Sequence, residues 1–133
     1  NKEAFKEAGL DPNKAPQNWK ELKEAAHRLT KKDASGKVVQ YGIQIPSTGF
    51  AYWMLQTLTT PNDVLLANEA GTQVTLDSPK VVEALDYWVG LVKEGVHPAG
   101  VVEWGTTPKD FMERKAAIIV TTTVALAYLY GMS

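Results

Sequence analysis

The sequence predicts an α/β fold, rich in helices and poor in strands, and three patterns carry that prediction. Val39, Tyr41, Ile43 and Ile45 alternate with Val38, Gln40, Gly42 and Gln44, which is the two-residue period of a strand. A short apolar run over residues 116–121 reads as a second, buried strand. Around these lie segments with helical spacing and clear start signals, such as Ser78-Pro79 ahead of a long apolar stripe. The resulting order is helix, strand, helix, extended arm, helix, helix, strand, helix, with too few strands to complete a sheet.

Each element has a local reason. Residues 1–8 form a short amphipathic helix anchored by Phe5, with Gly9 at its C′ position. A proline-punctuated loop through Pro12 and Pro16 leads to a second helix, capped by Asn18 with Glu21 at N3 in a capping-box pattern. Trp19, Leu22, Ala26 and Leu29 give that helix one buried face. Lys32-Asp33-Ala34-Ser35-Gly36-Lys37 is turn chemistry, and Pro46-Ser47-Thr48-Gly49 ends the strand that follows. A helix rich in large side chains runs over residues 50–58. Residues 64–66 and 73–76 flank Asn68-Glu69-Ala70-Gly71 as a hairpin or an irregular arm. In the long helix after Ser78, Pro79 takes N1 and Val82, Leu85, Trp88 or Val89, and Val92 are expected inside, with Gly95 closing it. Thr107-Pro108 repeats the cap-and-proline device before Phe111 and Met112. A last apolar helix starts near Val124 and stops at Gly131-Met132-Ser133.

Composition narrows the function. At 133 residues the chain has the length of one domain, with ordinary apolar (44%) and charged (22%) fractions. A net charge of -1 gives no electrostatic case for nucleic acid or an anionic membrane as partner. Without cysteine there is neither disulfide nor thiolate chemistry. The longest apolar stretch, from Ala116 toward Leu129, is interrupted by three threonines and too short to span a bilayer. No apolar leader opens the chain, and it closes on an apolar segment, so residues 1–133 are expected to be a single-lobe fragment cut at both ends.

Catalytic constellations are missing from the sequence. His27 and His97 have no local serine, cysteine or carboxylate partner in a recognised arrangement, and both are read as structural or surface residues. No metal-ligand spacing and no cofactor motif is found; Asp33 and Ser35 beside Gly36 imitate a calcium loop but lack its distal glutamate. Gly36-Lys37 lacks the rest of a phosphate-binding loop. The chain is therefore not read as an enzyme.

Two features remain, each directly after a strand and before a helix, where α/β folds bind ligands. In Gly49-Phe50-Ala51-Tyr52-Trp53, Phe50 and Trp53 are either core anchors on one helix face or an aromatic platform for the C–H faces of a sugar or polyol. In Thr121-Thr122-Thr123, the hydroxyls are either plain N-caps or, with the free backbone N–H groups of the helix start, contacts for a polar or anionic ligand group.

Five segments in order resemble the extracellular solute-binding proteins of ABC importers, in the sugar and glycerol-3-phosphate branch. Asn1-Lys2-Glu3-Ala4-Phe5-Lys6-Glu7-Ala8-Gly9-Leu10-Asp11-Pro12 is similar to that family's N-K-x-x-F-x-x-A-G-L-D-P segment. Pro16-Gln17-Asn18-Trp19-Lys20-Glu21-Leu22 resembles P-x-T-W-x-E-L, with Asn18 for threonine. Thr75-Leu76-Asp77-Ser78-Pro79-Lys80-Val81-Val82-Glu83-Ala84-Leu85 and Lys93-Glu94-Gly95-Val96 resemble the start and end of the long lobe helix. Phe111-Met112-Glu113-Arg114-Lys115-Ala116-Ala117-Ile118 is similar to F-x-x-G-K-A-A-M, with Arg114 where glycine is common.

The resemblance implies part of the second lobe of a two-lobed periplasmic-binding-protein (type II) fold that closes on its ligand. It implies capture of a sugar, oligosaccharide or polyol phosphate such as glycerol 3-phosphate for an ABC permease, in the periplasm or as a cell-surface lipoprotein, without a cofactor. It makes Phe50, Trp53, Thr122 and Thr123 the ligand-binding residues, while Val124 and Ala125 stand where the family has glycine and serine. The alternatives are a sensor or protein-interaction module built on the same lobe and, more remotely, a carbohydrate hydrolase needing two facing carboxylates. A lobe on its own is also expected to pair with a second copy through exposed sheet edges and helix faces.

Overall fold

The computed structural model describes residues 1–131. Its elements run α1 (Lys2–Glu7), α2 (Trp19–Leu29), β1 (Lys31–Lys32), β2 (Val38–Gln44), α3 (Ala51–Thr59), α4 (Pro79–Lys93), α5 (Thr107–Met112), β3 (Ala116–Ile119) and α6 (Val124–Gly131), with a 3-10 turn at Thr60–Asn62. The expected stop at Gly131-Met132-Ser133 falls, from Met132 on, outside the described residues.

β2 is the middle strand. It pairs antiparallel with β1 and parallel with β3, so that Tyr41 lies opposite Ala116 and Ile43 opposite Ile118. The expected turn before it forms around Asp33, whose Oδ1 accepts hydrogen bonds from Ser35 N–H, Ser35 Oγ–H and Lys37 N–H. That carboxylate is taken up by its own turn. Closure of the turn draws Lys31 and Lys32 against Val38 and Gln40, which makes a short edge strand where the sequence shows only the start of a turn.

The helix caps follow local chemistry. Asn18 Oδ1 accepts the Glu21 N–H at 2.9 Å, as expected, but the Glu21 carboxylate receives Gln17 N–H rather than that of Asn18. Ser78 caps α4 through Val81 N–H with Pro79 in the first turn, and Gly9, Gly36 and Gly95 take positive φ. Thr107 departs from expectation: it is the first residue of α5 rather than its cap, and its hydroxyl bonds back to the Glu103 carbonyl at 2.8 Å.

α2 lies directly on β2. A Cβ on Gly42 would sit 1.9 Å from the Ala26 carbonyl oxygen, so only glycine permits the approach. Thr30 Oγ accepts the Gly42 N–H at 3.1 Å and donates to Ala26 O at 2.8 Å, while Gln40 Nε2 donates to Leu29 O at 2.7 Å. These bonds explain how Gln40, polar in the alternation, is buried.

Above the sheet, Ile43, Ile45, Ala26, Met54, Leu91 and Val96 form one core cluster; Ala4, Ala25, Leu29 and Ala117 form a second beneath α1. Phe5, the expected anchor of α1, is half-buried against this second cluster, and the fully buried residue is Ala4. The buried stripe of α4 also differs from expectation. Val82, Leu85 and Val89 are 48%, 42% and 46% exposed, and the helix buries Val81, Ala84 and Leu91 with Trp88 beside them. Val81-Val82 and Ala84-Leu85 are apolar at adjacent positions, so spacing alone allows two stripes, and contact with α3 selects one.

His97 fixes the exit of β2. Its Nδ1 faces only a carbonyl and therefore carries the proton, donating to Pro98 O at 2.7 Å, while Nε2 accepts Ile45 N–H at 2.9 Å. Burial pushes its pKa below the ordinary 6.5, against the opposing pull of the Pro98 and Ile45 backbone groups.

Arg114 has φ +60, a left-handed conformation that explains why glycine suits this position, and it pairs with Glu7 at 2.6 Å. Arg114 first and Lys31 second draw the Glu7 carboxyl down to about 2.

Two outcomes follow. Gly42→Ala should lower the unfolding free energy by about 3 kcal/mol or prevent folding, measured by urea titration, because α2 must lift off the strand. For His97 the unfolded chain binds a proton that the folded ring resists. Its contribution is complete above about pH 6.5 and declines as the pH falls below that, by at most about 1.4 kcal/mol per pH unit. Urea midpoints should therefore drop between about pH 7 and about pH 5, and drop less in His97→Gln.

Candidate ligand-binding site

The parallel strands β2 and β3 end side by side, and the chain leaves each of them toward a helix. From β2 it passes through Pro46-Ser47-Thr48-Gly49 to α3, and from β3 through residues 120–123 to α6. Backbone pairing continues past β3, with Val120 N–H donating to Gln44 O at 3.0 Å, which keeps the two exits together.

The first exit is clamped to residues 102–104. Ser47 N–H donates to Val102 O at 2.9 Å, and Ser47 Oγ accepts Val102 N–H at 2.9 Å. Thr48 Oγ accepts Trp104 N–H at 3.3 Å and donates to the Glu103 carboxylate at 2.7 Å. Gly49, at φ +71, passes so close to Trp104 that a Cβ on it would lie 2.9 Å from the Trp104 Cβ.

This clamp sets the aromatic group. Phe50 is the N-cap residue of α3, one position before the helix, and its carbonyl accepts Trp53 N–H at 2.9 Å. The two rings stack at 4.4 Å with an interplanar angle of 15°. Trp104 meets Phe50 edge-on at 5.4 Å and 82°, and Tyr52 meets Trp53 edge-on at 5.3 Å. In this chain Phe50 and Trp53 are each 39% exposed.

A groove of about 300 Å³ opens beside this stack, lined by Trp53, Met54, Gln56, Thr57, Thr121 and Thr122. The structure thus brings Trp53 and Thr122, from distant parts of the sequence, to one concave surface. Phe50 reaches it through its stack on Trp53, while Thr123 is exposed and outside the lining. Thr121 and Thr122 are half-buried ahead of α6, and Thr122 O accepts Ala125 N–H at 3.1 Å. Gln56, Thr57 and Trp104 were not expected in this neighbourhood. Periodicity places Gln56 and Thr57 only on a helix, and Trp104 sits in a loop with no local pattern.

A larger groove of about 590 Å³ adjoins this one at Thr121 and runs between α1, the loop after it, β3 and α6; it is mostly apolar, with Phe5, Phe111, Leu126 and Leu129, and also includes Lys2 and Lys14. His27, by contrast, is a surface residue of a small ion cluster, 2.6 Å from the Glu94 carboxylate that also pairs with Lys23.

Over residues 1–133 the chain matches the family described as bacterial extracellular solute-binding protein, and it belongs to that family. It is 38% identical over 104 residues to the sn-glycerol-3-phosphate-binding periplasmic protein UgpB of Brucella abortus strain 2308, covering 75% of this chain and 23% of that protein. UgpB of Brucella suis biovar 1 matches to the same extent.

Among solved structures, an ABC transporter solute-binding protein from Thermotoga lettingae bound with α-D-tagatose superposes with a TM-score of 0.84 at 22% identity, over 98% of this chain and 33% of that one. The cyclic α-maltosyl-1,6-maltose-binding protein of Arthrobacter globiformis superposes at 0.68 with 26% identity, over 87% of this chain and 28% of that one. The fold is that of a fragment of a type II periplasmic binding protein. The chain spans about a quarter of the length of the curated relatives it matches.

Ser47→Ala leaves the buried Val102 N–H without its side-chain acceptor and should lower stability by about 1–2 kcal/mol in a denaturant titration, with the slope unchanged.

Proposed function

We propose that the protein containing this chain captures a sugar, an oligosaccharide or a polyol phosphate such as glycerol 3-phosphate outside the cytoplasmic membrane and delivers it to an ABC permease. Its setting is the periplasm, or the cell surface as a lipoprotein. The observation that carries this reading is the meeting of the Phe50–Trp53 stack with Thr121 and Thr122 at the carboxyl ends of two parallel strands. An exposed aromatic face offers dispersion and C–H contacts to a sugar ring, and the hydroxyls beside it supply direction. Membership of a solute-binding family, and relatives named for glycerol 3-phosphate and for maltose-type sugars, support the same reading.

Phe50, Trp53, Thr122 and Thr123 are the proposed ligand-binding residues of this lobe. The other lobe completes the cleft and closes on the ligand. For the chain by itself, exposed Val82, Leu85 and Val89 on α4 and exposed Val124, Leu126, Tyr128 and Tyr130 on α6 support pairing of two copies.

Calorimetry on the full-length protein with a panel of sugars and glycerol 3-phosphate tests the function. Trp53→Ala should weaken the ligand found by at least about tenfold while moving the unfolding midpoint little, since the ring is partly exposed. Unchanged affinity in that variant would remove Trp53 from the site.

A further inference from the structure

Residues 41–62 and 116–133 contain no Asp, Glu, Lys, Arg or His. In a chain that is 22% charged, about nine charges would fall in stretches of that combined length. In the chain by itself Tyr52, Trp53, Gln56 and Thr57 of the first stretch and Thr123 of the second are exposed. These two stretches are the ones that converge on the groove, and every residue lining it comes from them.

The polar side-chain groups of the groove are three threonine hydroxyls, one amide and the Trp53 indole N–H, and none is a cation. Thr57 spends its hydroxyl proton on Met54 O at 2.7 Å, so toward the groove it offers only lone pairs. A ligand O–H satisfies that acceptor, whereas a phosphate oxygen repels it. A phosphate taken out of water needs charge-assisted donors, of which Arg and Lys are the usual source. The Glu103 carboxylate, held by Thr48 next to Trp104, is of the wrong sign for an anion, and Lys2 and Lys14 line the adjoining groove rather than this one.

We propose that the ligand face seated on this groove is uncharged and rich in hydroxyls, that is, a neutral saccharide ring, and that this lobe selects against a phosphorylated polyol. The inference rests on the reading of the groove as a ligand site.

The test is calorimetry on the full-length protein with neutral mono- and oligosaccharides and with glycerol 3-phosphate, each at about 50 and about 500 mM NaCl, repeated with Trp53→Ala and Thr122→Val. Neutral sugar should bind with an affinity that changes less than about twofold with salt, because no ion pair is screened. Both variants should weaken it, and glycerol 3-phosphate should bind at least about tenfold more weakly. Glycerol 3-phosphate binding as tightly as any sugar, weakened by salt and by Trp53→Ala, would overturn the inference and leave the groove as the site. Binding of either class that neither substitution alters would remove the groove reading, and the inference with it.

Discussion

The seating of α2 on β2 at Gly42 is the contact on which the rest of this lobe depends. With the Ala26 carbonyl where a side chain would otherwise begin, helix and strand meet backbone to backbone, and Thr30 and Gln40 satisfy the polar groups trapped there. Both core clusters draw on this pair. Ala26 and Ile43 belong to the upper cluster, Ala25 and Leu29 to the lower, and β3 gains its place by pairing with the same strand. A close glycine contact of this kind sacrifices one side chain's burial and gains helix–sheet packing along the whole length of α2.

From that fixed strand, position passes outward to the groove in steps that are each physical. His97 holds Ile45, the Ser47–Val102 pair holds the loop, Thr48 and Gly49 bring in Trp104, and Trp104 meets the edge of Phe50. Aromatic rings left partly exposed lose no conformational freedom on binding if they are already braced, which favours tight contact with a ligand face. Phe50 and Trp53 are held in this way by the residues packed around them.

Much of this was legible beforehand because it is local. Asn18 and Ser78 cap helices through bonds three residues away, and Asp33 builds its turn within four residues, so composition and spacing suffice to find them. The same holds for the strand over residues 38–44 and for the exits where Phe50, Trp53, Thr122 and Thr123 stand. Less was legible where two apolar neighbours compete. The α4 stripe fell on Val81, Ala84 and Leu91 instead of Val82, Leu85 and Val89, because both phases read alike until another helix covers one. β1 was not legible either, since two lysines have no strand signature and pair only because a turn returns them to β2.

The sequence by itself determined the α/β class, the caps and turns, the family resemblance and the two strand exits, all of which depend on residues within a few positions of one another. It also determined that the groove's two contributing stretches carry no charge. Only the tertiary structure decided that those stretches meet, that Thr122 rather than Thr123 faces the groove with Trp53, and that Trp104 braces Phe50. These contacts join residues more than fifty positions apart, and their geometry is set by strand register and close packing, which no local pattern encodes.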